Sequence, residues 1–524
     1  MKNRYLVGSL LFFLLSMTAC YEDDSTWGTE TIPDIEIGKF RDTSIVSYNG
    51  NKLEVIPDVT TTYPDETLSY AWYYYSGADN SSLEEGLKDG YRTRRICETK
   101  DLSYEVNLPS GTYTFILEVK TSINSYVRTE SMKVSVTTPF SGCFYVLKET
   151  ADGNTELDLL NAGEMTVNVL TEMTGAPMKG KPVNMNYIFN QSYLDDESLD
   201  YKATKAMYLF SEEDTRVFET ENFREVLNRN TLFYEGVQSD EHPRTVLNAL
   251  VMVLLTDKGF YTSQPADFSS CSGKYGMPIG VGGSKHVQGM GMIMGMMSFV
   301  FWSEAEHHLY FTDFNGQGST LLEYELPENV AEANLSCVGC GQNVVGDNER
   351  VWFLTEDAAT GKRYLLILEG GASAVTEVRS LDASLNIAQA DIIAGNGLSS
   401  TVIYAVNDNV LWAYDLVTAK EFEIPLPGVS SGETISYVSN QYMNADSFSD
   451  DSYNFDELVV GTYDNGKYKL YIYDELSGGA PQRAVIPYEG TGRVQSVRFA
   501  TPISYGSFNL IMPFHSQPIM PFTD

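Results

Sequence analysis

Leu458-Val-Val-Gly-Thr-Tyr-Asp-Asn-Gly-Lys-Tyr-Lys-Leu-Tyr-Ile-Tyr-Asp474 decides how most of this chain is read. An apolar run enters Asp464-Asn-Gly466, and an aromatic run returns. Asn, Asp and Gly tolerate the positive φ that a two-residue hairpin turn demands, so the stretch predicts a β-hairpin. One hairpin cannot bury both of its faces, so it needs neighbours. Working outward, the same unit recurs. It stands at Cys143 (CFYVLKETADGNTELDLL), Ala206 (AMYLFSEEDTRVFE), Leu250 (LVMVLLTDKGFYTS) and Phe299 (FVFWSEAEHHLYFTDF). Val351 (VWFLTEDAATGKRYLLIL) and Val402 (VIYAVNDNVLWAYDL), with Asn407-Asp-Asn409 at its turn, complete the set. Successive copies start about 45 to 65 residues apart, the blade period of β-propellers. A ring of such sheets buries both faces and leaves only short edges. The expectation is a β-propeller-like domain over residues 140–524 with seven blades, although no WD or kelch signature is present. A large sandwich or a β-solenoid is the alternative.

Residues 35–138 read differently. Tyr70, Trp72 and Tyr74 share one face of a strand. Tyr113, Phe115, Leu117 and Val119 share one face of another, and Met132, Val134 and Val136 point inward from a third. Short strands with one central Trp and a late Tyr strand predict an immunoglobulin-like β-sandwich over residues 34–139. The fold class is therefore all-β, with Tyr and Phe at 34 and 25 residues. Little helix is expected. The spacing of Phe223, Val226 and Leu227 predicts a short one over Glu221–Asn228.

The first residues read as an address. Lys2 and Arg4 precede an apolar run from Leu6 to Met17, too short for a comfortable membrane span. It ends in Met17-Thr18-Ala19-Cys20, which resembles the bacterial lipobox. That resemblance implies a signal peptide over 1–19 and lipidation of Cys20. Tyr21-Glu-Asp-Asp24 resembles the surface-export signal of Bacteroidota lipoproteins, and residues 20–33 read as an acidic tether. The expected location is the outer membrane, lipid-anchored, at the cell surface.

The chain has 524 residues and a formal charge of −36, which disfavours nucleic acid as a partner. Cys97, Cys143, Cys271, Cys337 and Cys340 remain beside Cys20. Cys337-Val-Gly-Cys340 is a lone CxxC, read as a local disulfide or two buried thiols. No partner pair or histidine spacing suggests zinc, and no cofactor is expected. His307-His308 would point to opposite faces of a strand, one packed and one exposed. The acidic loop Asp446–Glu457 lacks the glycine bend of a calcium loop. Gly289–Met297 carries five Met, read as irregular packing beside a central strand, with a soft contact surface or Cu(I) ligation as the alternative. Trp302, Trp352 and Trp412 lie in three consecutive units. They are the candidate ligand-contacting residues, by stacking on sugar rings, although core packing is expected for at least two of them. No catalytic residue stands out.

The stretch Pro64 to Trp72, with Pro109-Ser-Gly-Thr-Tyr113, resembles the PKD domain, in which Trp72 and Tyr113 would be core residues. The order of lipobox, acidic tether, PKD-like sandwich and propeller-like array resembles the PKD-like family lipoproteins of Bacteroidota. That resemblance implies a binding or accessory role in capturing a glycan or peptide, beside a SusC/SusD-type uptake complex. A propeller enzyme (glycosidase or lyase) and an adhesin or structural spacer remain the alternatives.

Overall fold

The computed structural model describes residues 34–501, except 49, 77–84, 89–90, 196–197, 237–239, 249–250, 264–270, 291–297, 313–315, 328–329, 346–347, 370–373, 397–399 and 444–454. Cys20, the acidic tether and most of the Met-rich and Asp446–Glu457 stretches lie outside the described residues. The chain divides into two compact units, Met1–Thr137 and Thr138–Asp524. No helix among the described residues is long and apolar enough to cross a membrane.

The N-terminal unit is a β-sandwich. A six-stranded sheet runs in the order Thr43–Val46, Val127–Thr137, Gly111–Thr121, Leu68–Ser76, Tyr91–Cys97, Glu85–Lys88. Two antiparallel pairs, Ile35–Ile37 with Val59–Thr61 and Lys52–Val55 with Leu102–Glu105, complete it. Val127–Thr137 alternates between buried and exposed from Met132 onward, so its apolar residues face the core and its polar ones face water. One continuous cluster, including Trp72, Phe115, Leu117, Val119 and Val134, fills the interior. The Trp72 indole N–H reaches Lys100 O at 3.0 Å, and the Tyr113 hydroxyl donates back to Pro109 O at 3.0 Å. Both rings thus satisfy their polar ends locally, as buried aromatics must.

Among the described residues the C-terminal unit comprises seven four-stranded antiparallel sheets, here blades 1 to 7. Blades 2 to 6 each take four consecutive strands, whose inner strands are Pro182–Leu194, Pro243–Asn248, Val287–Met290, Leu335–Val345 and Ile392–Gly395. Blade 7 runs from the inner strand Thr434–Met443 to the outer strand Tyr488–Thr491. In blade 1 the three outer strands are Cys143–Glu149, Thr155–Asn161 and Glu164–Thr166, and the inner one is Arg493–Ala500. The far end of the unit therefore closes the ring on its beginning. All seven hairpins read from the sequence are the middle two strands of a blade. Their turns are as their residues require, with Asp408, Asn409 and Asn465 all at positive φ.

Apolar clusters fill six of the seven junctions between neighbouring blades. At the junction of blades 1 and 2 Phe223 stacks on Phe218 with centroids 4.4 Å apart and on Phe140 at 5.2 Å. Phe223 sits at φ 59°, a left-handed turn, so the helix expected over Glu221–Asn228 does not form; Glu225–Asn228 is the outer strand of blade 2. The apolar spacing there serves a turn and a strand. A short helix stands instead at Val169–Thr174, ended by Gly175 at φ 86°. Its first N–H groups are capped by the buried Glu156 carboxylate, at 2.8 Å from Leu170 N and 3.2 Å from Thr171 N.

Polar inner strands add a second kind of bond between blades. Asn186 of blade 2 accepts from the Thr245 hydroxyl of blade 3 at 2.9 Å. Asn343 of blade 5 donates to Asn396 O and Val402 O of blade 6 at 2.9 and 3.0 Å. Gln441 of blade 7 donates to Val497 O of blade 1 at 3.1 Å, and Arg498 of blade 1 to Met185 O of blade 2 at 3.2 Å. Each such bond satisfies a buried donor or acceptor and names its neighbour.

Candidate functional site at the inner-strand entrance of the ring

Inner strands all begin at one end of the ring. Because the next strand is antiparallel, the turn between second and third strands returns to that same end. Four consecutive blades use this geometry to bring side chains together. Gln495 of blade 1, Val183 of blade 2, Arg244 of blade 3 and His286 of blade 4 come from the starts of inner strands. Glu212, Asp257 and Glu304 come from the second-to-third-strand turns of blades 2, 3 and 4. Together with Lys285 they line a cavity of about 370 Å³, the scale of a small-ligand pocket.

Local contacts fix several of these groups. Asp257 Oδ1 accepts the His242 backbone N–H at 2.7 Å, and its Oδ2 lies 2.9 Å from His242 Nδ1. The Arg244 guanidinium stands 3.9 Å from Asp257 Oδ2, beyond hydrogen-bond reach and partly exposed. Glu304 is held by the Trp302 indole N–H at 3.0 Å. The 284–286 segment is pinned by backbone bonds Ser284 N to Trp302 O at 2.8 Å and Trp302 N to His286 O at 3.0 Å. Gly282 permits the close pass of this segment, since a Cβ there would lie 2.5 Å from Asp257 O. The cavity thus offers two cationic groups and three carboxylates on rigid strand ends. Such a set can hydrogen-bond a polyhydroxylated ligand or a zwitterionic one.

The three tryptophans do not meet at one site. Trp302 and Trp352 are fully buried, so neither presents a ring face for stacking on a sugar. Trp302 positions Glu304. Trp352 donates to Asn343 Oδ1 at 2.8 Å, orienting the amide that links blades 5 and 6. Trp412 is half-buried against the cluster between those blades. His308 is buried and its ring lies on Tyr324 at 4.5 Å, while His307 takes the turn at φ 53° and meets Leu335 O at 2.8 Å. Cys97, Cys143, Cys271, Cys337 and Cys340 are thiols, not disulfides, with Cys337 and Cys340 buried on a strand that bulges between Cys337 and Gly339. Burial pushes the Cys143 thiol pKa up, which makes it inert. No group of three or more His, Cys, Asp or Glu that could hold a metal ion occurs among the described residues.

Sequence reading missed Arg244, Asp257, Lys285, His286 and Glu304. A signal was available. Glu212, Asp257 and Glu304 occupy equivalent turns in three successive copies of the hairpin, and equivalent turns of a ring converge on one end.

Comparison with known proteins places part of the chain. No curated protein matches it. Among solved structures, a quinonprotein alcohol dehydrogenase-like protein from Bacteroides thetaiotaomicron is similar at 14% identity and a TM-score of 0.39, over 90% of this chain and 99% of its own. A DUF4784 family protein from Bacteroides caccae is similar at 8% identity and a TM-score of 0.31, over 74% and 95%. The β-propeller domain of the trilobed protease from Pyrococcus furiosus is similar at 8% identity and a TM-score of 0.21, over 70% and 79%. The family match runs from Cys20 through the sandwich, Trp72 and Tyr113 included, and on to Pro182, past the three outer strands of blade 1. Over residues 20–182 this chain matches the model of the PKD-like family.

Proposed function

We propose that this chain is a lipid-anchored surface protein of the outer membrane that captures a glycan or peptide at the inner-strand entrance of its ring, as an accessory to a SusC/SusD-type uptake complex. One observation carries the binding reading. Blades 3 and 4 deliver Arg244, Asp257, Lys285 and Glu304 to one cavity of about 370 Å³, which blades 1 and 2 also line. Charged groups of both signs on rigid strand ends suit recognition of a polar ligand by many directional bonds. The anchor reading rests on Met17-Thr18-Ala19-Cys20 and the acids after it.

A glycan and peptide array probed with the full chain tests the binding. Arg244→Ala and Asp257→Asn should each weaken the captured ligand at least ten-fold, and Trp412→Ala should leave it within two-fold. Unchanged capture by both cavity variants would remove the site. For the anchor, Cys20→Ser should abolish incorporation of a fatty-acid probe, and equal labelling of variant and wild type would remove the lipoprotein reading.

A further inference from the structure

A second cavity, of about 490 Å³, lies between blades 7 and 1 at the opposite end of the ring, where inner strands finish. Its walls are mostly apolar. Phe144, Leu160 and Phe499 come from blade 1, and Ile472, Val485 and Tyr488 from blade 7 and the connection leading to its outer strand. Phe144 and Phe499 pack edge to face at 5.1 Å, and Phe455 joins them at 5.8 and 5.0 Å. Glu457 follows Phe455 by two residues on the same strand, so its side chain leaves the same face of the sheet. It lines the cavity, and its buried Oε2 has no hydrogen-bond partner among the described residues. A carboxylate oxygen so placed is costly unless a donor arrives. The one cation among the described residues of the rim, Arg483, is already engaged by Asp474 at 2.7 Å and Glu475 at 3.4 Å.

We infer that this cavity is a second binding site, distinct from the entrance cavity, and that it takes a small organic ammonium with an apolar tail, with Glu457 as its counter-charge. Charge complementarity fixes the occupant. An ammonium supplies the donors that Glu457 Oε2 lacks, its alkyl part suits Leu160, Ile472 and Val485, and the rings of Phe144, Phe499 and Tyr488 favour a cation nearby. An anion would meet Glu457 and Asp474 instead, and a purely apolar guest would leave the carboxylate unmet.

Burial, reinforced by Asp474 and then Asp456, pushes the Glu457 carboxyl up to about 7. The groups around it are few. Among the described residues blade 1 contributes no charge to the cavity wall. From blade 7 come Asp474, Arg483 and Tyr488, and Asp456 lies on Glu457's own strand, accepting from Asn440 at 2.8 Å. The Glu457 carboxyl is therefore mostly ionised at pH 8 and mostly protonated at pH 5.5.

Calorimetric titration of the full chain with hexylamine and with hexanol tests this. At pH 8 hexylamine should bind at least ten-fold more tightly than hexanol. At pH 5.5 that preference should vanish in the wild type, with no variant needed. Glu457→Gln should remove it at pH 8, and a melting curve confirms that the variant folds. Equal binding of hexylamine and hexanol, full hexylamine affinity in the variant, or no hexylamine binding at pH 8 would each overturn the proposal. The outcome is independent of the entrance cavity, whose test uses other residues and other ligands.

Discussion

The two units of this chain are both all-β, yet they are held together differently. The sandwich has one continuous apolar core, and its buried polar side chains among the described residues are threonines such as Thr93 and Thr121. The ring has its apolar area divided among six clusters, and it buries Lys148, Glu156, Asp158, Glu241, Glu433 and Arg498. Apolar contact is non-directional and would accept many neighbours. A ring must place seven sheets in one order and then close. Buried charges with specific partners discriminate between neighbours, since a wrong pairing leaves a charge unmet. The sandwich gets its order from strand pairing and needs no such device.

The sharpest way to break this contrast lies at the closure. Asp158 of blade 1 accepts Lys148 at 2.7 Å, with both side chains buried, and also the Tyr468 hydroxyl of blade 7 at 2.6 Å. Asp158→Ala strands the Lys148 ammonium without a partner. Breaking a buried pair in this way costs about 3–5 kcal/mol. Native-state hydrogen exchange of the full chain should show the loss throughout residues 138–501 and none in the sandwich core around Trp72 and Phe115. Equal loss in both units, or none in either, would end the comparison.

A second experiment sharpens it within the ring. Glu433, just before the inner strand of blade 7, accepts Thr462, Lys469 and Tyr471, each at 2.8 Å. Glu241, at the matching place in blade 3, accepts Thr256 at 2.7 Å and Tyr261 at 2.5 Å, with no lysine. The registers agree. Ile435 pairs with Thr462 and Pro243 with Thr256, each two residues after its glutamate. Burial alone would raise Glu433, but the bonds from Lys469, Thr462 and Tyr471 outweigh it and hold the carboxyl at about 2. A depressed carboxylate stabilises the fold fully above its unfolded value of 4.5, and that contribution is lost as pH falls toward 2. Glu433→Gln should therefore cost about 1.5–3 kcal/mol at pH 7 and almost nothing near pH 2. Glu241→Gln, with no lysine to strand, should cost less at pH 7. Urea unfolding across the pH range reads both.

The same contrast explains what the sequence made legible. Middle hairpins announce themselves, because they carry apolar residues on both faces and Asn, Asp or Gly at the turn. Inner strands do not. Asn184, Asn186, Gln342, Asn343, Ser439, Asn440 and Gln441 form no apolar pattern, and only the ring gives Asn186, Asn343 and Gln441 partners across to the next blade. The closing strand Arg493–Ala500 pairs with a strand some 350 residues away (a separation no local pattern encodes). Glu221–Asn228 misled because i, i+3, i+4 spacing also arises when one ring sits in a left-handed turn and two others in a strand. At the entrance cavity each charged residue is unremarkable alone, in a chain with 71 acids. Only the convergence of equivalent turns gives Asp257 and Glu304 a common setting. Tryptophan drew attention for its stacking chemistry, yet in the ring its indole N–H matters more than its ring face, as Trp302 and Trp352 show.

The smallest expected effect compares two hydroxyls. Tyr113 of the sandwich donates to the neutral Pro109 carbonyl at 3.0 Å, and Tyr471 of the ring donates to the Glu433 carboxylate at 2.8 Å. Both rings are buried, and Tyr→Phe deletes one oxygen from each without opening an apolar cavity. A hydrogen bond to a neutral acceptor contributes about 0.5–1.5 kcal/mol net, and one to a charged group about 1.5–3. Tyr113→Phe should therefore destabilise the sandwich by about 1 kcal/mol, and Tyr471→Phe the ring by about twice that. In Tyr113→Phe the Pro109 carbonyl can turn to water, whereas in Tyr471→Phe the Glu433 carboxylate keeps only Lys469 and Thr462. Hydrogen exchange measured separately in each unit reads the two values. If Tyr113→Phe costs as much as Tyr471→Phe, the charge on Glu433 contributes nothing special, and the ring is held by the same apolar forces as the sandwich.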